Sequence, residues 1–356
     1  MTAQGAWHGG PGVSRPSDVY AAANAHRHAP SDMTEGYVLH SYGPADPYLR
    51  HAVASVTTLR RYDTERPVAL FCPPAHRATL ERHGLASLFE RIEPLPEAHR
   101  SIVGFKHALH RFAPFARTLF TDTDLVWCRN PDPLWRQLSG YDFTATGNET
   151  ADAFFGAPKG PAVAADVLLA RRRRTLRRFG LTHLPRVQAG MIYVRDHDLA
   201  EAVCRQAAGY LARADETHFQ SRLREKERTQ ESCEWSLAMA MSRLGLAVHP
   251  WRHGHETPQV DFVEGLVEYD ADFRDVTCRY YCDTFVHELR GLPAAWLRDA
   301  LIAACSQLPG RGDYMDIVPY ALHFSWAHHK HPFLNFANRL WQRRAHAGRP
   351  VRSEGA

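Results

Sequence analysis

Short hydrophobic runs rich in β-branched and aromatic residues alternate with longer amphipathic stretches along most of the chain. The short runs predict strands, which we place at residues 37–42, 68–72, 89–94, 118–121, 187–194 and 321–326. The amphipathic stretches predict helices, which we place near residues 47–61, 75–84, 104–113, 197–213, 231–244 and 293–307. This alternation is typical of βαβ units, in which helices cover both faces of a central sheet. We therefore expect an α/β protein.

Three other segments depart from this alternation. Residues 1–33, rich in Gly, Ala, His and Pro, predict a disordered leader. Residues 215–231 are highly charged and predict an exposed loop or loose helix, which makes them a candidate lid. Residues 247–290 carry short aromatic runs that predict an added β layer, although the pattern does not place it.

The strand at 118–121 leads directly into two carboxylates, Asp122 and Asp124. Residues two apart on an extended chain point to the same side, so both groups could bind one hard cation. Ligands gather at the carboxyl ends of strands in open α/β sheets, which is where this pair lies. A polar turn explains Asp-x-Asp alone equally well, but the segments on either side favour a site. Residues 106–112 predict a helix packed on the strand, and residues 130–133 predict a sharp turn.

The block from Lys106 to Trp135 resembles the metal-binding segment of GT-A fold glycosyltransferases. The resemblance is strongest to the retaining family eight, the group around glycogenin and bacterial galactosyltransferases. Further segments resemble that family's motifs in the same order along the chain, at residues 37–48, 187–194, 233–237 and 321–333. Each motif is short, and the specificity of the resemblance lies in their order.

This resemblance implies a GT-A fold, Rossmann-like, with a mixed central sheet flanked by helices. It implies one glycosyltransferase domain at residues 34–335, followed by a C-terminal helix and tail at 336–356. Within the domain, residues 34–135 would bind the nucleotide and residues 136–335 the sugar and acceptor. The implied enzyme is a metal-dependent hexosyltransferase that moves a sugar from a nucleotide-diphosphate sugar, UDP-sugar by default, to a hydroxyl of a small molecule or glycan.

The resemblance also implies which residues hold the metal and the diphosphate. Asp122, Asp124 and His323 would bind Mn²⁺ or Mg²⁺, since one nitrogen among oxygens favours Mn²⁺ over Ca²⁺. Lys330 would neutralise the leaving diphosphate, and Lys106 would lie near the phosphates, although a surface lysine explains Lys106 as well. The closing segment departs from the family pattern by lacking a glycine and having one extra residue. His328 or His329 could therefore replace Lys330, and a solvated tail or a separate zinc cluster with His331 stays open.

For the donor, the resemblance implies a base-binding loop after the first strand, with Asp122 also touching the ribose. The residues expected to line the nucleotide are His40, Tyr42, Asp46 and Tyr48. Tyr48 offers a ring on which uracil could stack, and Asp46 a carboxylate for the base N–H. Asp46 could equally be an ordinary helix N-cap.

For the reacting end of the sugar, the sequence points to Gln188 and Glu234. The neutral amide of Gln188, beside Ala189 and Gly190, could stabilise a developing oxocarbenium ion, because small residues let a sugar approach the backbone. Glu234 could bind donor hydroxyls or stand behind the anomeric carbon, or it could simply cap a helix. Family stereochemistry implies retention by front-face substitution. An inverting route would need an acceptor base such as Asp142 or Glu149.

Composition narrows the class of protein further. A net charge of +4 and a pI near 8.7 are too mild to indicate nucleic acid as a partner. No apolar stretch approaches the ~20 residues that span a bilayer. The seven scattered cysteines argue for a reducing cytoplasm. Four lysines against 39 arginines suggest a GC-rich bacterial genome, and a homodimer stays open.

The cluster at Arg171–Arg178 has two explanations. A solvated helix face is one, and a contact surface for an acidic acceptor, lipid headgroups or nucleic acid is the other. Two rival functions also stay open. A sugar-nucleotidyltransferase would need a Gly-rich basic loop after the first strand, which residues 41–46 lack, and a non-catalytic scaffold would bind polyanions through the arginines.

Overall fold

The computed structural model describes residues 35–43, 47–152, 155–158, 162–225, 229–251, 253–280, 294–306 and 315–347. The predicted leader and Asp46 lie outside the described residues. Among the described helices, none is long and apolar enough to cross a membrane.

The strands match the predicted β-rich runs closely. They are β1 (Glu35–His40), β2 (Val68–Cys72), β3 (Arg91–Pro94), β4 (Arg117–Thr121), β5 (Leu125–Trp127), β6 (Phe143–Asn148), β7 (Arg186–Val194), β8 (His249–Pro250), β9 (Gln259–Asp261), β10 (Val267–Tyr269), β11 (Val276–Tyr280), β12 (Met315–Ile317) and β13 (Ala321–His323). The strand predicted at 321–326 is shorter than expected and ends at His323, the residue expected to bind metal.

The helices occupy the amphipathic stretches between these strands. They are α1 (Pro47–Leu59), α2 (Pro74–Arg82), α3 (Ile102–Lys106), α4 (Asp132–Leu138), α5 (Ala162–Leu168), α6 (Arg171–Arg178), α7 (His197–Ala212), α8 (Glu234–Leu244), α9 (Ala295–Ser306) and α10 (His331–Ala347). The helix predicted at 104–113 is instead the short α3 followed by a 3₁₀ turn at Leu109–Arg111. The chain leaves the helical region at Ala108, so that Phe105, Leu109 and Phe112 all reach the core.

A seven-stranded sheet forms the centre, in the order β3-β2-β1-β4-β7-β6-β8. Strand β7 pairs in antiparallel fashion with both neighbours, β4 and β6, while the other paired strands in the sheet are parallel. Separate hydrophobic clusters cover the two faces of this sheet. The expected α/β class with a mixed central sheet flanked by helices is therefore confirmed.

Two three-stranded sheets lie beside the central one. The first, β5-β13-β9, joins the chain that leaves β4 to the strand ending at His323. The second, β10-β11-β12, is antiparallel and packs on the first through a cluster that includes Phe262, Phe273 and Phe324. These sheets are the added β layer that residues 247–290 predicted, within the part of that range that the structure describes.

The predicted lid at 215–231 contains two 3₁₀ turns, Ala214–Glu216 and Arg222–Arg224, in its described part. The end of the segment contacts the first βα loop. Gln230 accepts hydrogen bonds from the Tyr42 hydroxyl at 3.2 Å and from the backbone N–H of Ile102 at 2.8 Å.

A buried polar network fixes the start of the central sheet. The Tyr37 hydroxyl donates to Asp63 at 2.7 Å and accepts from Trp135 Nε1 at 2.7 Å. Arg66 pairs with Asp63 at 2.9 Å and with Glu35 at 2.8 Å. Burial would raise the pKa of Asp63, but hydrogen bonds from Arg66 and Tyr37 lower it below its usual value. Because buried polar groups are costly without partners, this network ties β1 to α4.

We predict that Tyr37→Phe lowers the free energy of unfolding by about 1–3 kcal/mol, because Trp135 Nε1 and Asp63 both lose a partner. Tyr193→Phe is the matched control. Tyr193 is also buried, but its hydroxyl has no hydrogen-bond partner in the described part of the chain. Urea denaturation of both variants should show a loss for Tyr37→Phe alone. Equal losses would contradict the network.

Candidate metal centre

Asp122 and Asp124 lie at the junction between β4 of the central sheet and β5 of the small sheet. The backbone N–H of Asp122 donates to the Gly190 carbonyl at 2.9 Å, and that of Phe324 donates to the Asp124 carbonyl at 3.0 Å. The pair lies in a turn rather than on the extended chain that the sequence argument assumed. Both carboxylates still face one side, because these two backbone bonds fix the turn against β7 and β13.

His323 completes a group of three side chains that could hold a metal ion. Its Nε2 lies 3.7 Å from an oxygen of Asp122 and 3.6 Å from an oxygen of Asp124. One ligand atom from each of the three residues lies within 4.8 Å of the others. The structure therefore brings together the three residues that the sequence singled out as metal ligands, from segments two hundred residues apart in sequence.

Asp261 orients His323 and was not found by sequence reasoning. Its carboxylate lies 2.9 Å from His323 Nδ1 and also accepts from Trp326 Nε1 at 3.3 Å. A carboxylate can only accept here, so Nδ1 carries the proton and Nε2 faces the two aspartates. Asp261 and His323 are register partners on the parallel strands β9 and β13. Strand β9 is only three residues long, and nothing in its sequence marked the aspartate.

Gln188 lies behind His323 and is held on both ends of its amide. Its Oε1 accepts from the Gly190 backbone N–H at 2.6 Å and also from the Gln259 amide, and its Nε2 lies 2.6 Å from His323 Nδ1. A side chain at position 190 would come within 2.7 Å of the Gln188 and Gln259 amide oxygens. The glycine thus makes room for two amides of the protein itself, rather than for the sugar we expected there.

Two of the four lysines in the chain pair with the two aspartates. Lys106 Nζ lies 2.7 Å from Asp122 and donates to the Ala189 carbonyl at 2.7 Å. Lys330 Nζ lies 2.6 Å from Asp124. Lys106 is buried, which excludes the surface-lysine explanation, whereas Lys330 keeps 19% of its side chain exposed.

These pairings keep both carboxylates ionised. Burial would raise the pKa of Asp124, but Lys330 and His323 hold it well below its usual value. Burial acts the same way on Asp122, where Lys106 and His323 lower the pKa. Two carboxylates this close would otherwise repel each other, so the surrounding cations are what allows them to share a site.

A ladder of aromatic rings leads from the core to the surface beside this centre. Phe105 stacks on His40 with ring centroids 4.0 Å apart, His40 on Tyr42 at 5.4 Å, and Tyr42 on Tyr48 at 4.9 Å. Tyr48 is 38% exposed. Burial and the charge of Lys106 lower the pKa of His40 to about 3, so its ring is neutral at pH 7. Among the expected nucleotide residues, His40, Tyr42 and Tyr48 therefore form one stack.

Glu234 begins α8 and lies close enough to Lys106 for its charge to help raise the pKa of that lysine, after burial and Asp122 have acted on it. It also accepts a hydrogen bond from the Ser232 hydroxyl at 3.4 Å. Its position fits both expectations, since an acidic residue at the first turn favours the helix and the same residue borders the metal centre.

The zinc cluster considered from the sequence does not form. His323 lies among the aspartates, whereas His328 and His329 lie 3.5 and 3.2 Å from Asp299. His331 contacts Asn335 on α10 instead. Asp299, His328 and His329 form a second group with metal-ligand spacing, but the Arg298 guanidinium is 2.8 Å from His328 Nε2 and its charge opposes a cation there.

Comparison with known proteins gives matches among solved structures. No model of a protein family matches the chain, and no curated protein matches it. The galactosyltransferase LgtC, solved with donor and acceptor sugar analogs, is 12% identical with a TM-score of 0.45, covering 90% of this chain and 98% of that one. Mouse xyloside xylosyltransferase 1 is 12% identical with a TM-score of 0.40, covering 65% and 89%. The glycosyltransferase GlyE of Streptococcus pneumoniae is 11% identical with a TM-score of 0.45, covering 88% and 63%. All three are named as glycosyltransferases, the class that the sequence motifs resemble.

We predict that His323 stays protonated at neutral pH in the metal-free protein. Burial would lower its pKa, but hydrogen bonds to Asp122, Asp124 and Asp261 raise it well above its usual value. Its contribution to stability should therefore be complete below about pH 6.5 and fade as the pH rises through the raised pKa. Nitrogen-15 NMR of the ring atoms would measure this titration.

His51 is the control within the same sample, because burial and Lys330 lower its pKa to about 4. It should be neutral across the range in which His323 is charged. A His323 titration near 6.5, unchanged by Asp261→Asn, would show that the three carboxylates do not act on the ring as described.

Proposed function

We propose that this protein is a metal-dependent glycosyltransferase that moves a sugar from a UDP-sugar to a hydroxyl of a small-molecule or glycan acceptor. The observation that carries the proposal is the convergence of Asp122, Asp124 and His323 beside two lysines and a partly exposed aromatic stack. Such a site offers a cation for a diphosphate and a ring for a base, which are the two parts of a sugar nucleotide.

The residues present fit a divalent cation. Two carboxylates and one imidazole form a donor set of hard oxygens with a single nitrogen, which suits Mn²⁺, with Mg²⁺ as a substitute. Asp261 supports the fit, since it takes the Nδ1 proton and leaves Nε2 as the ligand atom. When bound, the cation would supply positive charge to the departing diphosphate.

The two lysines would have different tasks. Lys106 is buried and bound on two sides, by Asp122 and by the Ala189 carbonyl, so we assign it to balancing charge inside the site. Lys330 is more exposed and begins the segment before α10, so its ammonium is the one positioned to neutralise phosphate. The exposed ring of Tyr48 would stack on the base.

We propose that the sugar lies between the metal centre and α8, within reach of Gln188 and Glu234. Gln188 would act from behind His323 by stabilising developing positive charge. Glu234, at the start of α8, would hydrogen-bond donor hydroxyls. Retention would follow if the departing phosphate oxygen takes the acceptor proton, so that no separate base is needed.

The location of Asp142 supports this route over an inverting one based on that residue. Asp142 precedes β6 and pairs with Arg195 at 2.7 Å. Strands β6 and β4 run in the same direction, so Asp142 lies at the opposite edge of the sheet from Asp122. It is therefore too far away to accept a proton at the metal centre.

The direct test is a screen of sugar nucleotides for release of nucleoside diphosphate, with Mn²⁺ and with EDTA. We expect turnover with one UDP-sugar that EDTA abolishes. Calorimetry with UDP separates the alternatives, because metal-dependent binding supports the enzyme and salt-sensitive binding of any polyanion supports a scaffold. Absence of metal-dependent turnover with every donor would refute the proposal.

We predict that Asp124→Asn lowers turnover at least about 100-fold, because one charged ligand is lost where charge develops. Thermal stability should stay within about 1 kcal/mol, since the residue is polar and borders solvent. Asp142→Asn is the matched control, with the same chemical change at the opposite edge of the sheet, and should leave turnover unchanged. Near-normal turnover of Asp124→Asn would contradict the metal assignment.

A further inference from the structure

The segment Ala162–Ala170 presents its apolar side chains to solvent. Eight of its nine residues are apolar, and α5 covers the first seven. Val167, Leu168 and Leu169 are 56%, 85% and 50% exposed. The one charged residue, Asp166, is buried instead and pairs with Arg171 at 2.9 Å. This is the reverse of an amphipathic helix packed on a core, whose charged residues face water.

An arginine-rich helix follows at once. Helix α6, Arg171–Arg178, contains six arginines and no acidic residue. Ala170 makes the turn between the two helices in the left-handed conformation, with φ 47°. Across that turn, Arg174 donates to the Leu169 carbonyl at 2.6 Å. The exposed leucines and the arginines therefore form one continuous surface, which we call the apolar–basic tip, residues 162–178.

The charge of the tip is only partly neutralised. Arg171 pairs with Asp166 and Arg178 lies 3.7 Å from Glu216, which accounts for two of the six arginines. Arg173 and Arg177 are exposed on the solvent side of α6. A surface cleft beside them is lined by arginines of α6 and by His218, whose Nε2 has no hydrogen-bond partner among the described residues. The tip thus combines exposed aliphatic side chains with positive charge suited to phosphate.

We propose that the apolar–basic tip docks on an anionic lipid surface. Aliphatic side chains would enter the boundary between headgroups and acyl chains, while the arginines stay at the level of the lipid phosphates. Three consecutive exposed aliphatic residues are hard to explain in a tip that stays in water. A protein partner explains the tip less well, because protein interfaces are enriched in aromatic residues, and this tip has none among its exposed side chains.

The test is sedimentation of the full chain with vesicles, measured without any sugar nucleotide, so that its outcome is independent of the proposed function. Vesicles of phosphatidylcholine alone are compared with vesicles that contain phosphatidylglycerol. We expect binding to the anionic vesicles, at least ten times weaker binding to the neutral ones, and loss of binding as salt is raised.

Two double variants separate the apolar and the basic contributions. Leu168→Ser with Leu169→Ser should weaken binding at least tenfold. Arg173→Gln with Arg177→Gln should weaken it further than that of the wild type by about fivefold for each charge removed. The matched controls are Leu223→Ser, an exposed leucine elsewhere, and Arg82→Gln with Arg205→Gln, exposed arginines elsewhere. Both controls should bind as the wild type does.

Three results would overturn the proposal. The wild type could fail to bind anionic vesicles, or the tip variants could bind as well as their controls, which would make the binding a general effect of net charge. Alternatively, the wild type could be a dimer that Leu168→Ser dissociates, without vesicle binding, which would assign the tip to a second copy of the chain. Circular dichroism of each variant, with a melting temperature equal to that of the wild type, confirms that the comparison is between folded proteins.

Discussion

The turn at Asp122–Asp124 is the constraint on which the rest of the site depends. It is the link between the central sheet and the sheet β5-β13-β9, and one backbone hydrogen bond ties it to each sheet, to Gly190 and to Phe324. Because β7 runs antiparallel to β4, the start of β7 reaches this turn and brings Gln188 with it. Because β13 runs antiparallel to β5, its end returns to the same turn and brings His323.

This geometry creates an electrostatic problem that the surrounding residues solve. Two carboxylates and a buried imidazole meet in a small volume, where desolvation penalises every charge. Lys106 and Lys330 each pair with one aspartate, and Asp261 holds the far side of the histidine ring. In a chain that otherwise uses arginine almost throughout, two of its four lysines stand here. A compact ammonium fits beside a carboxylate in a crowded site, whereas a planar guanidinium needs more room.

Much of the fold and of the candidate centre could be predicted because both are written in local pattern. The strand before Asp122 and the helix at 47–59 follow directly from hydrophobic periodicity, and the two aspartates stand together in sequence. What could not be predicted depends on strand register. Asp261 meets His323 only because β9 and β13 pair in parallel with these residues opposite each other. The role of Gly190 was misjudged for the same reason, since the amide of Gln259 arrives from a strand that the sequence did not place.

The most direct measurement of the central claim is the anomalous scattering of Mn²⁺ in a crystal grown with manganese and UDP. The account predicts one strong anomalous peak bounded by carboxylate oxygens of Asp122 and Asp124 and by Nε2 of His323, with Asp261 still bonded to Nδ1. A peak elsewhere, with Lys106 and Lys330 still pairing with the two aspartates and no metal between them, would contradict it.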